Sequence, residues 1–140
     1  MPLLASKRGA YTVGIGDAGN EFGMGRIYSA IREFHPAGAT CRCPCNGGMA
    51  TDMESDALIV AGCSNWGAYG VAAMLAYLLE KPELFHSAVE EEFMLRQMAI
   101  AGANDAFTGE SQPSVDNIHL QAHLGLNHIM HEIIENALSD

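Results

Sequence analysis

Asp17, Asn20 and Glu21 stand within five residues of one another in the stretch GIGDAGNEFGMG, Gly14 to Gly25, which also holds five glycines. Two carboxylates and an amide at that spacing are hard oxygen donors, and such sets hold Mg²⁺, Mn²⁺ or Ca²⁺. The competing reading is a tight turn whose Asp and Asn satisfy only their own backbone. Spacing alone leaves the two even. The same stretch contains G-x-G-x-x-G from Gly14 to Gly19, the pattern of a dinucleotide-binding turn. Context argues against it, because Gly23 and Gly25 fall where the required helix must continue. The next candidate strand ends in Cys45 and Asn46 rather than an acid, and Asp17 would press a carboxylate against a diphosphate.

A second group surrounds the apolar run ALIVAGC, with Asp56 before it and Ser64-Asn65-Trp66-Gly67 after it. Side chains at the ends of parallel strands point into a ligand crevice, so Ser64 and Asn65 are expected to face Asp17 and Glu21. Ser64 could equally be a plain helix cap, and Trp66 is expected to pack. Asp105 and Asp116 lie in or beside a polar loop, each a cap or a ligand. His119 and His123 are four apart on the final helix, with Leu126, Met130 and Ile133 on the same face. Without H-E-x-x-H they read as a partly buried structural pair rather than a zinc site. His128, His131, Glu132 and Glu135 are expected opposite, in solvent. Cys41, Cys43 and Cys45 have C-x-C spacing, neither redox C-x-x-C nor half a zinc ribbon. They could hold a soft metal, but the expectation is packing as small hydrophobes on a short strand.

The elements that must position these residues follow from hydrophobic period. Residues 10–16 read as a buried strand, 24–34 as a helix closed by His35-Pro36-Ala37-Gly38, and 39–45 as a second strand. Residues 57–63 give the clearest strand, continuous enough to be covered on both faces. Helices are expected over 66–80, from about 83 to 103 after Lys81-Pro82, and from Ser114 to about Ala137. Strand, helix, strand, strand and then helices describe an α/β layered domain with a small, mostly parallel sheet flanked by helices. At 140 residues a single domain is the simplest division.

Composition sets the partners. The chain has 7 basic against 17 acidic residues and a net charge of −10, which repels nucleic acid and anionic lipid and suits cations. No signal peptide or membrane-length apolar run is visible, so the expected setting is the cytoplasm, with thiols reduced. Hydrophobic residues make up 49% and charged residues 17%. So apolar a surface, with at least one open sheet edge, points to a homo-oligomer, most simply a dimer. Met74, Leu78, Leu126 and Met130 are the expected contributors.

In order along the chain, GIGDAGNEFGMG, SDALIVAGCSNWGAYG, AGANDAFTG and SVDN resemble the D-glutamate cyclase C-terminal domain family. The likeness runs from about Tyr11 to Asn136 and corresponds to the downstream half of the family's domains. It implies an α/β fold with an acidic, cation-binding cavity, and conversion of D-glutamate to 5-oxo-D-proline with loss of water. By position, Asp17, Asn20 and Glu21 match the glycine-rich acidic motif and the metal set, with Mg²⁺ or Mn²⁺ as the implied ion. Ser64, Asn65, Trp66 and Gly67 match the second motif, and Asp105 and Asp116 the later acids. Ala18, Phe22 and Ala106 depart from the family's usual residues. On this resemblance Asp17 and Glu21 hold a cation that polarises the γ-carboxylate. Asp56 or Asp105 takes the ammonium proton. Asn20, Ser64, Asn65 and Asp116 meet the small-molecule substrate. Two alternatives keep the same residues: a metal-dependent phosphohydrolase, and a ligand-binding or assembly module without catalysis.

Overall fold

The glycine-ended segment and the apolar run pair as β1 (Val13–Gly16) and β2 (Ala57–Val60), parallel, with Val13 opposite Ala57 and Gly16 opposite Val60. The computed structural model describes residues 2–139, which divide into two units, one up to Gly67 and one from Ala68 onwards. The α/β class holds, with a parallel sheet of two strands among the described residues.

The first unit begins with α1 (Pro2–Lys7) and contains β1, a 3₁₀ turn at Gly25–Ile27, α2 (Tyr28–Phe34) and β2. The helix expected from residue 24 starts later because the N–H groups of Gly23 and Gly25 both go to the Met53 carbonyl, at 3.0 and 3.1 Å. Gly23 has φ +97°, and a Cβ there would lie 2.7 Å from the Gly14 Cα, so these two backbones touch only because both residues are glycine. Residues 39–45 do not form the expected strand; they run through turns and bends that end beyond Pro44. Proline offers no ladder donor, and the Arg32 guanidinium holds the loop through the Gly47 carbonyl at 3.0 Å. Nor do the cysteines pack: Cys43 and Cys45 are exposed and Cys41 is half-buried. β2 is less enclosed than its apolar run implied, with residues 57–59 half-buried and Val60 exposed. Met24, Ile31 and Cys63 are the buried apolar residues of this unit.

Helix α3 (Ser64–Leu78) starts two residues earlier than expected and carries the chain into the second unit. There follow a 3₁₀ turn at Pro82–Leu84 and α4 (Ala88–Ile100). The long helix expected from about residue 83 is shortened by a capping box. Ser87 accepts from the Glu90 N–H, and the Glu90 carboxylate accepts from the Ser87 N–H and hydroxyl. Ser114 does not cap a helix. It opens a two-residue hairpin of β3 (Ser114–Val115) and β4 (Ile118–His119), turned by Asp116 at φ 54° and Asn117 at φ 62°. Positive φ at both central residues is the type I′ arrangement, which asparagine and aspartate accept.

The last helix, α5 (Leu120–Leu138), has His119 as its N-cap and packs on α4. Its buried stripe is Leu120, His123, Asn127 and Ile134, so Ile133 faces outward and Leu126 and Met130 are half-buried. Tyr69, Ala76, Phe85 and Leu95 complete this core. No helix among the described residues is long and apolar enough to cross a membrane.

Candidate functional site

β1 ends at Gly16, so Asp17 leaves the sheet at its carboxyl end, where open parallel sheets place their ligand crevice. β2 ends at Val60, and after three intervening residues α3 begins at Ser64. The two motifs meet there. The Ser64 N–H donates to Asp17 Oδ2 at 2.6 Å. The first turn of α3 carries no acid of its own. Asp17 therefore supplies the negative charge that a helix N-terminus attracts.

Glu21 closes the loop behind Asp17. Its two carboxylate oxygens accept from the N–H groups of Ala18 at 3.2 Å and Gly19 at 2.9 Å. Gly19 sits at φ +113°, and a Cβ there would lie 2.7 Å from Ile31 Cγ2. The Asp17 side chain also hydrogen-bonds to Glu21. Burial works to raise the Glu21 carboxyl, but the amides of Gly19, Glu21 itself and Ala18, with Asp17, outweigh it and hold it below the ordinary range. An oxygen of Asp17 and the Sγ of buried Cys63 also lie within 4.8 Å of each other.

Of the three residues read as a metal set, the structure brings Asp17 and Glu21 together. Asn20 is exposed on the loop between them. Asn65 is half-buried beside Cys63, with its Oδ1 4.0 Å from that sulfur. Trp66 is half-buried.

Asp56 is not brought to this end. Its Oδ2 accepts from the Thr12 N–H at 2.7 Å and the Thr12 hydroxyl at 2.6 Å, just before the two strands begin. Four paired residues at about 3.3 Å each separate that contact from the carboxyl end where Asp17 lies. The Thr12 hydroxyl, then the Thr12 N–H, holds the Asp56 carboxyl below its usual value.

In the second unit, buried Asp105 accepts from the Ser114 hydroxyl at 2.5 Å and from the N–H groups of Phe107, Asn117 and Thr108 at 2.8, 2.9 and 3.2 Å. The Ser114 hydroxyl above all, with the Asn117, Phe107 and Thr108 amides and against the cost of burial, brings its carboxyl down to about 2. A carboxylate so held is a poor proton acceptor and a good loop clamp. Asp116, half-buried, occupies the hairpin turn.

The same unit contains a polar network that the sequence reading missed. Glu91 is fully buried; the Tyr69 hydroxyl donates to its Oε1, and His86 Nε2 lies 3.0 Å from its Oε2. The His86 carbonyl in turn accepts from Asn127 Nδ2 at 2.8 Å and meets His131 Nε2 at 3.1 Å. His131, expected in solvent, is thus drawn inward, and its ring lies 4.8 Å from that of Phe85. His123, the buried member of the expected pair, meets the Ile118 carbonyl, while His119 is exposed. One signal was available: Ala88, Glu91 and Leu95 fall three and four apart on α4, putting an acid in a core-facing row.

With this geometry in place, two comparisons bear on what the chain is. A family model described as D-glutamate cyclase-like, C-terminal, matches residues 2–131. The chain is 33% identical to the mitochondrial D-glutamate cyclase of Homo sapiens over 116 residues, covering 81% of this chain and 17% of that protein. The chain thus spans about a sixth of the length of this curated relative.

Proposed function

The chain belongs to the D-glutamate cyclase-like C-terminal family, and from that premise we propose that its first unit is a cation-assisted site for the cyclisation of D-glutamate to 5-oxo-D-proline. One observation carries the reading: the Asp17 carboxylate joins the glycine-rich acidic loop to the start of α3, touching both Glu21 and the Ser64 N–H. Asp17 and Glu21 are hard oxygen donors with an excess of negative charge between them, and they suit a divalent cation such as Mg²⁺ or Mn²⁺. When bound, the ion supplies Lewis acidity to a substrate carboxylate.

The remaining steps fall to the chain and the substrate. Over the whole reaction the α-ammonium gives up two protons, the nitrogen bonds to the γ-carboxyl carbon, one C–O bond of that carboxylate breaks, and the departing oxygen takes up both protons and leaves as water. Glu21, kept ionised by the loop amides, holds the site anionic and favours an ammonium group over a second anion. Asn20, Ser64 and Asn65 are the nearby side-chain donors for the substrate's carboxylates and the developing oxyanion. Asp56 and Asp105, both committed to local hydrogen bonds, are assigned no part in proton transfer.

Purified chain incubated with D-glutamate and Mn²⁺ or Mg²⁺ is expected to form 5-oxoproline, with chelation abolishing the signal. An Asp17→Asn variant, checked for an unchanged melting profile, should lose about 100-fold or more in rate. Absence of product from the folded wild-type chain with either ion defeats the reading.

We also propose assembly as a homodimer, on the strength of an exposed apolar face. In the second unit, α3 and α5 line an apolar groove of about 330 Å³ that includes Met74, Tyr77, Met130 and Ile133. Beside it Leu78 is 65% exposed and Met74 56%, an apolar face that a second copy would cover. Light scattering at micromolar concentration should give twice the 14.9 kDa chain mass, falling to one chain mass for Met74→Lys. A wild-type monomer ends the proposal.

A further inference from the structure

The cysteines of the first unit are where the sequence expectation and the structure part most sharply. Along an extended strand, residues two apart lie about 7 Å from each other, so C-x-C-x-C would spread its sulfurs along one face. Here the chain curls instead. Cys43 Sγ and Cys45 Sγ approach to 2.7 Å, Cys41 Sγ and Cys45 Sγ to 3.6 Å, and all three lie within 4.8 Å of one another.

The curl is built into the backbone. The Asn46 N–H closes a turn on the Cys43 carbonyl at 3.0 Å, and Asn46 itself has φ 49°. Gly48 follows at φ +84°, where a Cβ would lie 2.7 Å from the Ala39 carbonyl carbon. The Met49 N–H then anchors to the Ala37 carbonyl at 2.9 Å, and Arg32 grips Gly47. These bonds belong to a loop that turns its three thiols towards one point, two of them exposed to solvent.

We propose that Cys41, Cys43 and Cys45 form a three-sulfur site for a soft, closed-shell cation of the Cu⁺ or Zn²⁺ class, separate in its donor chemistry from the Asp17–Glu21 pair. Thiolate sulfur selects such ions over Mg²⁺, Mn²⁺ or Ca²⁺, which take oxygen. Sulfurs bound at about 2.3 Å to one tetrahedral ion stand about 3.8 Å apart. The Cys41–Cys45 separation is already close to that, and Cys43 need open by only about 1 Å, which rotation of an exposed side chain provides. Three sulfurs complete a trigonal Cu⁺ site, whereas Zn²⁺ would add a water as a fourth ligand. Each thiol that binds gives its proton to solvent, so the chain's negative charge persists around the ion.

The test uses the whole chain, reduced and kept anaerobic, titrated in parallel with Cu⁺ and with Zn²⁺ against a chromophoric chelator. One equivalent of either ion should bind, with Co²⁺ as a spectroscopic substitute for Zn²⁺ giving a sulfur-to-metal absorption band. Cys43→Ser and Cys45→Ser should each weaken binding at least tenfold while leaving the far-UV circular dichroism unchanged. The better-held ion tells whether the trigonal or the water-completed form applies. Binding of neither ion by the reduced wild type, or affinity unchanged in both variants, overturns the proposal. The Asp17→Asn variant must bind the soft ion like wild type. Loss there would mean the titration reports the carboxylate site instead.

Discussion

The Asp17–Glu21 pair of the first unit differs from the two buried acids of the second in what stands beside each carboxylate. In the first, Asp17 and Glu21 meet each other, so part of what surrounds each acid is a second acid. In the second, Asp105 meets a hydroxyl and three amides, and Glu91 meets a tyrosine hydroxyl and a histidine. Donors placed around a carboxylate, as the hydroxyl and amides are around Asp105, fix the chain around it. A like-charged neighbour leaves a demand that only a proton or a cation meets. If the proposed function holds, burial alone ranks these acids in the wrong order for it, since the most buried ones, Asp105 and Glu91, are held in the packing of the second unit.

That comparison breaks first at Glu91. Removing its side chain strands the Tyr69 hydroxyl and His86 inside the second unit, and Glu91→Ala should lower the unfolding free energy by about 3 kcal/mol in urea titration. Asp17→Asn should cost much less, because it relieves the contact with Glu21 as it weakens the bond to the Ser64 N–H. Equal losses from the two variants would show that both carboxylates are structural, and the contrast would collapse.

A second prediction sharpens the contrast by pH. The Asp105 carboxyl sits at about 2 in the folded chain, below the ordinary aspartate value of about 3.9. A depressed folded value means that the unfolded chain takes up the proton first as pH falls. The stabilisation is complete above about pH 4 and fades as pH drops towards 2. The melting-temperature gap between wild type and Asp105→Asn should therefore stay constant from pH 7 to 5 and close between pH 4 and 2. A gap that shrinks already near pH 6 would assign the effect to a histidine instead.

How much of this was legible follows the same division. The strand–loop–helix arrangement around Asp17 could be read because glycine, acid and apolar run are adjacent in sequence, and their roles are local. That the run 57–63 lies parallel beside the segment 10–16 needed only the two apolar segments; the register, Val13 opposite Ala57, came from the structure. What could not be read depends on partners far along the chain. Asn127 and His131 turn inward because the His86 carbonyl, more than forty residues away, needs donors. Residues 39–45 have the composition of a strand, yet Pro44 and the positive φ at Asn46 and Gly48 curl them instead. Two local signals were present and unread: Ser87-x-x-Glu90 as a capping box, and Asp116-Asn117 as a hairpin turn.

The hairpin gives the smallest expected effect and the cleanest separation of backbone from side chain. Asn117 contributes its N–H to Asp105 at 2.9 Å while its own side chain is exposed. Its φ of 62° lies in the left-handed region, where glycine rests freely and a β-branched residue pays about 1–2 kcal/mol. Asn117→Gly keeps the amide and the turn, so its stability should stay within about 0.5 kcal/mol of wild type. Asn117→Val keeps the amide but strains the turn, and should lose about 1–2 kcal/mol by thermal or urea unfolding. If the clamp on Asp105 is what fixes this loop, the valine variant should also lift the low Asp105 carboxyl value, visible as a shift of its pH-dependent melting towards pH 4. Two variants of equal stability would mean that the turn is held by something other than its backbone geometry, and the Asp105 clamp would lose its anchor.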